Sequence, residues 1–307
     1  MNWCNAKYHL EIMIARGRKA MVIFFLLACS NLHLRVRAQA AEPANEPKPD
    51  TSIAIVQDVR ALLQDVRQLS RATGSIGSRT MLGNSYFIAG GIAAEAAMIF
   101  GGIDTALQGM MQRNQQPQTE RYIKYFNQYG ELYAAAGIVG GMYVTGLATS
   151  SSGLRTAARR AGETLVIAGI TTTVLKAAIG RARPYMNLGS MSATPFAFNE
   201  DNYSWPSGHT AVAFSLSSSL ARSIDNVYIG ALLYAGAAGT GIARMYYDKH
   251  WLSDVVAGAA IGTLSAQLVH TLDDRNAASE MNNSSSSVGS MLMIGPTAGG
   301  ISICYAW

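Results

Sequence analysis

The chain runs to 307 residues, 49% hydrophobic and 14% charged, with 24 Lys and Arg against 19 Asp and Glu. That balance is too apolar for a disordered chain, and the length suits one core-forming domain with short appendages. Residues 1–40 carry six of the basic residues and one acid, leaving 18 of each sign elsewhere; the net positive charge belongs to this leader, which argues against nucleic acid as a partner. Cys4, Cys29 and Cys304 are too few and too scattered for a disulfide framework or a zinc site.

Arg16 to Lys19 form a basic patch before the apolar run Ala20 to Cys29, which is too short for an ordinary spanning helix. Residues 1–40 are therefore expected to be an export signal. Two processing sites fit: Ala38-Gln-Ala40 suits an ordinary signal peptidase, and Leu26-Leu-Ala-Cys29 resembles a bacterial lipoprotein box that would lipidate Cys29. The eleven residues Ser30 to Ala40, with Arg35 and Arg37 among them, make a long basic spacer and favour Cys29. An uncleaved anchor is the third reading. Residues 41–83 read as a linker stiffened by Pro43, Pro47 and Pro49, followed by an amphipathic helix in which Val56, Val59, Leu63 and Val66 recur at helical spacing.

Six segments rich in Ala, Gly, Ser, Thr and aliphatics follow, near Tyr86 to Ile103, Leu132 to Ala148, Gly162 to Ala178, Thr210 to Ala221, Tyr228 to Ala243 and Leu252 to Thr271. None alternates as a strand does. The expected fold is all-α: a helical bundle of about six apolar helices over residues 84–272, with the amphipathic helix before it. Residues 273–290, with four serines in a row, read as a flexible linker, and residues 291–307 as a short C-terminal β-hairpin. Few segments reach the roughly 20 apolar residues of a spanning helix, and mean hydropathy is only +0.13, so a globular bundle and a membrane bundle both remain open.

Three clusters sit at the ends of consecutive apolar segments. Lys176 and Arg183, before the helix-stopping Pro184, offer a point charge and a bidentate fork. Taken alone, a helix C-terminus attracting cations explains them equally well. Pro206-Ser207-Gly208-His209 opens the next helix, with Ser207 as N-cap, Gly208 admitting a ligand to the backbone and His209 one step away. A capped helix with a buried histidine is its plain alternative. Arg244, His250 and Asp254 form the third cluster, in which a helical i, i+4 relation lets the carboxylate hold one ring nitrogen of His250, or merely makes a surface ion pair.

Together, Lys-x6-Arg-Pro, Pro-Ser-Gly-His and Arg-x5-His-x3-Asp resemble the three signatures of the type 2 phosphatidic acid phosphatase and vanadium haloperoxidase superfamily, over roughly Tyr86 to Thr271. The family often has Ser where this chain has Ala243, so one hydroxyl contact is lost. The resemblance implies that Lys176, Arg183 and Arg244 neutralise phosphate oxygens, with the Ser207 hydroxyl and the Gly208 N–H assisting. It implies His250 as a nucleophile forming phosphohistidine, Asp254 as its partner, and His209 as the acid and then the base. Positive side chains serve where other phosphatases use metal, so neither a metal nor another cofactor is expected.

The substrate expected is a phosphorylated lipid or isoprenoid, to which Phe196, Phe198, Tyr203 and Trp205 beside the site are suited. The alternatives are a broad-specificity soluble periplasmic acid phosphatase, a vanadium-dependent haloperoxidase and a non-enzymatic helical membrane protein. The expected location is the bacterial cell envelope, exported and membrane-associated or integral. Six spans behind a cleaved leader would place Lys176 on the cytoplasmic side, whereas membrane members of the family usually face outward, and Arg155, Arg159 and Arg160 would lie on the side that basic loops avoid. A globular exported bundle removes the conflict and is the favoured arrangement.

Overall fold

A computed structural model describes residues 51–71, 85–287, 291–297 and 300–306. The leader, both processing sites and Cys29 lie outside the described residues. In chain order the elements are α1 (Thr51–Arg71), α2 (Ser85–Phe100), α3 (Ile103–Arg113), α4 (Pro117–Tyr129), α5 (Leu132–Ala148), α6 (Ser152–Ile179), α7 (Gly208–Ile224), α8 (Val227–Tyr246) and α9 (Leu252–Ser287). Strands β1 (Met291–Thr297) and β2 (Gly300–Ala306) pair antiparallel, with Ile294 opposite Ile303. The fold of the bundle is helical.

Three boundaries differ from those predicted. Helices α3 and α4, too polar to stand out as apolar segments, fill the stretch after α2, and Pro117 sits in the first turn of α4, where its missing N–H costs nothing. Helix α6 ends before Pro184, because Gly180 closes it in a left-handed conformation (φ 62°). A Cβ there would lie 1.8 Å from the Thr194 carbonyl, so the turn requires glycine. Helix α9 continues to Ser287, correcting the linker expected from residue 273. No Gly or Pro interrupts that stretch, and Ala277 and Ala278 favour the helix.

Small side chains let the helices approach closely. Ala135, Ala157, Ala158 and Ala161 are buried with Met142, Leu154, Leu216 and Leu220 where α5, α6 and α7 meet. Buried serines of α7 bond across to neighbouring helices: Ser217 donates to the Leu233 carbonyl at 2.9 Å and Ser218 to Thr263. Such contacts between small polar residues suit helices packed in an apolar surrounding. Outside the core, α6 carries an apolar stripe at i, i+4, i+8: Val166, Ile170 and Val174 are each at least 60% exposed. Among the described residues two helices, α6 and residues 252–279 of α9, are long and apolar enough to cross a membrane, and the bent pair α2–α3 adds a third if it counts as one span.

The arginines near the start of α6 are not free cationic signals. Arg155 pairs with Asp58 of α1 at 3.0 Å, Arg159 with Asp65 and Glu163, and both Arg159 and Arg160 with Asp273 of α9. With their charge locally matched, these residues say little about which side of a membrane they occupy. Their part in the topological conflict is thereby weakened.

Candidate active site

The three sequence clusters come together at one end of the bundle. Ser207 caps α7 as expected, its oxygen accepting from the Thr210 N–H at 3.5 Å and from the Thr210 hydroxyl at 2.9 Å, which leaves its own proton for a ligand. Gly208 stands in the first turn. A Cβ on Gly208 would lie 3.7 Å from Cε of Lys176, so the last turn of α6 lays its lysine beside the start of α7. Helix α8 supplies Arg244 from its last turn.

What these cations touch distinguishes them from the arginines of the opposite end. Lys176 donates to the Tyr203 carbonyl and Arg244 to the Asn127 side-chain oxygen at 2.8 Å, both neutral acceptors. The Nε atoms of Arg183 and Arg244 are buried without a hydrogen-bond partner. Among the described residues, none of the three cations forms an ion pair with a carboxylate. Three cationic side chains, two of them held by neutral dipoles and two with a buried donor unspent, make a cradle for a polyoxygen anion. No cluster of three or more His, Cys, Asp or Glu suited to a metal occurs among the described residues.

His250 and Asp254 meet, but not as two residues on one helix face. His250 precedes α9, and Asp254 lies in its first turn, where Oδ2 accepts from the Trp251 N–H at 2.8 Å. The His250 Nδ1 lies 3.5 Å from the same oxygen and makes no hydrogen bond of ordinary geometry. Burial pushes the His250 imidazole down to about 3, against the Asp254 carboxylate, which raises it, and with Lys176 lowering it further. The ring is therefore neutral at ordinary pH and carries a nitrogen lone pair.

Several partners had no local sequence signature. Arg181 sends Nη1 to Asp254 at 2.5 Å and Nη2 to Asp104 of α3 at 2.8 Å, and Ser204 donates to the other Asp254 oxygen. Asp104 also accepts from both the N–H and the hydroxyl of Ser253. His209 Nε2 stands 3.1 Å from Glu131, the residue before α5, a carboxylate partner far from it in sequence. Desolvation and then Arg244 lower the His209 pKa below 6.5, while Glu131 raises it. Trp205 donates to Glu95 of α2 at 2.7 Å, tying the segment before Ser207 to that helix. Phe196 and Phe198 are exposed.

Residues 157–278, which contain all three motifs, match the family model of the PAP2 superfamily. In this segment the chain is similar to members of the PAP2 superfamily. A lipid A 1-phosphatase of Rhizobium etli is 35% identical over 101 residues, covering 32% of this chain and 43% of that protein. One from Porphyromonas gingivalis is 38% identical over 73 residues, covering 23% of this chain and 16% of that protein. The chain thus spans less than half the length of these curated relatives. Crystal structures are also similar: LpxE of Aquifex aeolicus has 21% identity and a TM-score of 0.42, covering 55% of this chain and 95% of that chain. A transmembrane PAP2 type phosphatidylglycerolphosphate phosphatase of Bacillus subtilis has 15% identity and a TM-score of 0.44, covering 71% and 96%.

The cations of the two kinds give a first expected result. Arg181→Met strands Asp104 and Asp254 as buried carboxylates and is expected to cost about 3–5 kcal/mol of stability. Lys176→Met removes a charge with no carboxylate to strand, so activity should fall without a drop in the unfolding midpoint. Thermal unfolding of the two purified variants, measured beside phosphate release, checks both.

Proposed function

We propose that the protein is a lipid phosphate phosphatase of the bacterial envelope, working through a phosphohistidine. The observation that carries this reading is the cradle of Lys176, Arg183 and Arg244 with two unpartnered buried guanidinium donors beside neutral His250. In the proposed reaction the cations bind the equatorial oxygens, which gain charge in the transition state. The His250 lone pair forms the N–P bond as the P–O bond to the alcohol breaks, and His209 gives the leaving oxygen its proton. Water then attacks phosphorus, His209 takes its proton, and inorganic phosphate leaves. Asp254 supports the imidazolium that forms on His250.

A lipid substrate is supported by the similarity to lipid A 1-phosphatases and by the exposed Phe196 and Phe198. The stripe of Val166, Ile170 and Val174 favours a bilayer around α6 over the water-exposed bundle that the sequence suggests. On this reading α1 and the terminal hairpin are appendages of the six-helix apolar bundle, and residues 1–40 serve export, with Cys29 as the site of lipidation.

Phosphate release from a lipid phosphate monoester should survive a chelator such as EDTA and be inhibited by vanadate, a phosphate mimic. Activity lost to chelator and restored by magnesium contradicts the proposal. The paired change Phe196→Ala and Phe198→Ala should raise KM for a lipid phosphate while leaving kcat/KM for a short water-soluble ester nearly unchanged. Equal effects on the two substrates would remove these rings from lipid recognition.

A further inference from the structure

Well away from the cradle, a pocket of about 710 Å³ opens between α1, α5, α6 and α9. Thirteen residues of α6 separate its Glu163 from Lys176, about 20 Å along a helix rising 1.5 Å per residue. Leu62, Val139, Val166, Ile170 and Leu272 give it apolar walls. Val166 and Ile170 are also part of the exposed stripe of α6, so the pocket mouth is continuous with the face assigned to the bilayer.

One polar feature of this pocket is unsatisfied. The Glu163 side chain is only 10% exposed, and its Oε1 accepts from Arg159 at 2.8 Å. Its Oε2 is buried with no hydrogen-bond partner. Arg159 is already divided among Asp65, Glu163 and Asp273, and the Asp65 carboxyl comes within hydrogen-bonding reach of Glu163. A buried acceptor left bare is costly, and a second carboxyl beside it makes a positively charged donor the matching occupant. Apolar walls with Glu163 among them fit a hydrocarbon chain that carries an N–H donor at its head.

We propose that this pocket is a second lipid site, which takes one acyl chain of a membrane lipid and pairs the primary ammonium of its headgroup with Glu163. The chain enters sideways past Val166 and Ile170. A choline headgroup has no N–H to offer, and an anionic headgroup without an amine meets two carboxyls. The site goes beyond the phosphatase reading and stands without it, depending only on exposure of α6 to lipid.

The test is native mass spectrometry of the full chain, purified in detergent and offered phosphatidylethanolamine, phosphatidylcholine or phosphatidylglycerol with matched acyl chains. Retention of the ethanolamine lipid should exceed that of the choline lipid by on the order of tenfold, as a charge-assisted hydrogen bond allows. Gly140→Phe fills the pocket from α5, where a Cβ would meet nothing within 4 Å, and should abolish retention. Glu163→Gln should bring the ethanolamine and choline lipids to equal retention, and it answers the question alone if Gly140→Phe does not fold. Lys176→Met, which removes a cradle cation, should retain lipid like the unaltered protein, whether or not the chain is a phosphatase. Equal retention of all three lipids, or retention unaffected by Gly140→Phe, overturns the proposal. A preference that survives Glu163→Gln also overturns it and assigns the bare oxygen to a proton shared with Asp65. Loss of binding in Lys176→Met moves the bound lipid to the cradle and has the same consequence.

Discussion

His250→Ala is expected to lower phosphate release to background on every ester, activated or not, because no leaving group removes the need for a nucleophile at phosphorus. The effect should be in kcat, with binding largely kept, since Lys176, Arg183 and Arg244 remain to hold the phosphoryl oxygens. The unaltered protein, quenched in acid-free conditions after brief mixing with labelled substrate, should carry an acid-labile, base-stable phosphoryl group. His250→Ala should carry none. A labelled His250→Ala protein would transfer the nucleophile's role to another residue. Because burial holds the His250 imidazole near 3, it is already deprotonated throughout the neutral range, and its own titration should produce no acid limb above about pH 4.

In the proposed reaction Asp254 would act on that nucleophile from an unusual position. Its oxygens already accept from Arg181, Ser204 and the Trp251 N–H, and the His250 nitrogen waits at 3.5 Å. A neutral ring gains from a hydrogen bond to this carboxylate, and an imidazolium gains more. In the proposed reaction the carboxylate is thus placed to support the phosphorylated ring. Asp104, buried at the far side of Arg181, keeps the guanidinium in place from a helix that touches no motif residue directly in sequence.

The motif spacing made Lys176, Arg183, Ser207, Gly208, His209, Arg244, His250 and Asp254 legible, because each lies at or beside the end of a helix and the chain order alone brings those ends into succession. Helices α5 and α8 were equally legible, their apolar residues running unbroken between Leu132 and Ala148 and between Tyr228 and Ala243. Asp104, Asn127 and Glu131 were not. Each is a single polar residue whose partner stands at least 77 positions away, and a hydrogen bond over that distance leaves no period in the sequence. The ion-pair belt of Asp58, Asp65, Arg155, Arg159 and Asp273 escaped for the same reason: its arginines read as a charge cluster until α1 and α9 supplied the acids. Helix α9 beyond residue 272 was hidden by composition, since a serine run reads as linker whether or not a preceding helix extends into it.

Separation of the two histidines is the second large effect, and it turns on the leaving group. As general acid, His209 matters where the departing oxygen is strongly basic, so His209→Ala should lose roughly 10²- to 10⁴-fold on an alkyl phosphate. A nitrophenolate departs without full protonation, and single-turnover formation of the phosphoenzyme from nitrophenyl phosphate should be largely spared. The later water step still needs a base and should slow, leaving a burst of nitrophenol. Glu131 sharpens the expectation. Desolvation and Arg244 hold the His209 pKa below 6.5 in the free enzyme and Glu131 opposes them, so kcat/KM for an alkyl phosphate should fall with rising pH along a limb centred below 6.5. Glu131→Gln removes the opposing carboxylate, and the limb should move to still lower pH with the plateau rate less affected. A pH profile for Glu131→Gln that coincides with that of the unaltered protein, or equal losses for His209→Ala on both ester types, excludes His209 as the acid, because a proton donor at the leaving oxygen must show both the carboxylate beside it and the basicity of what it protonates.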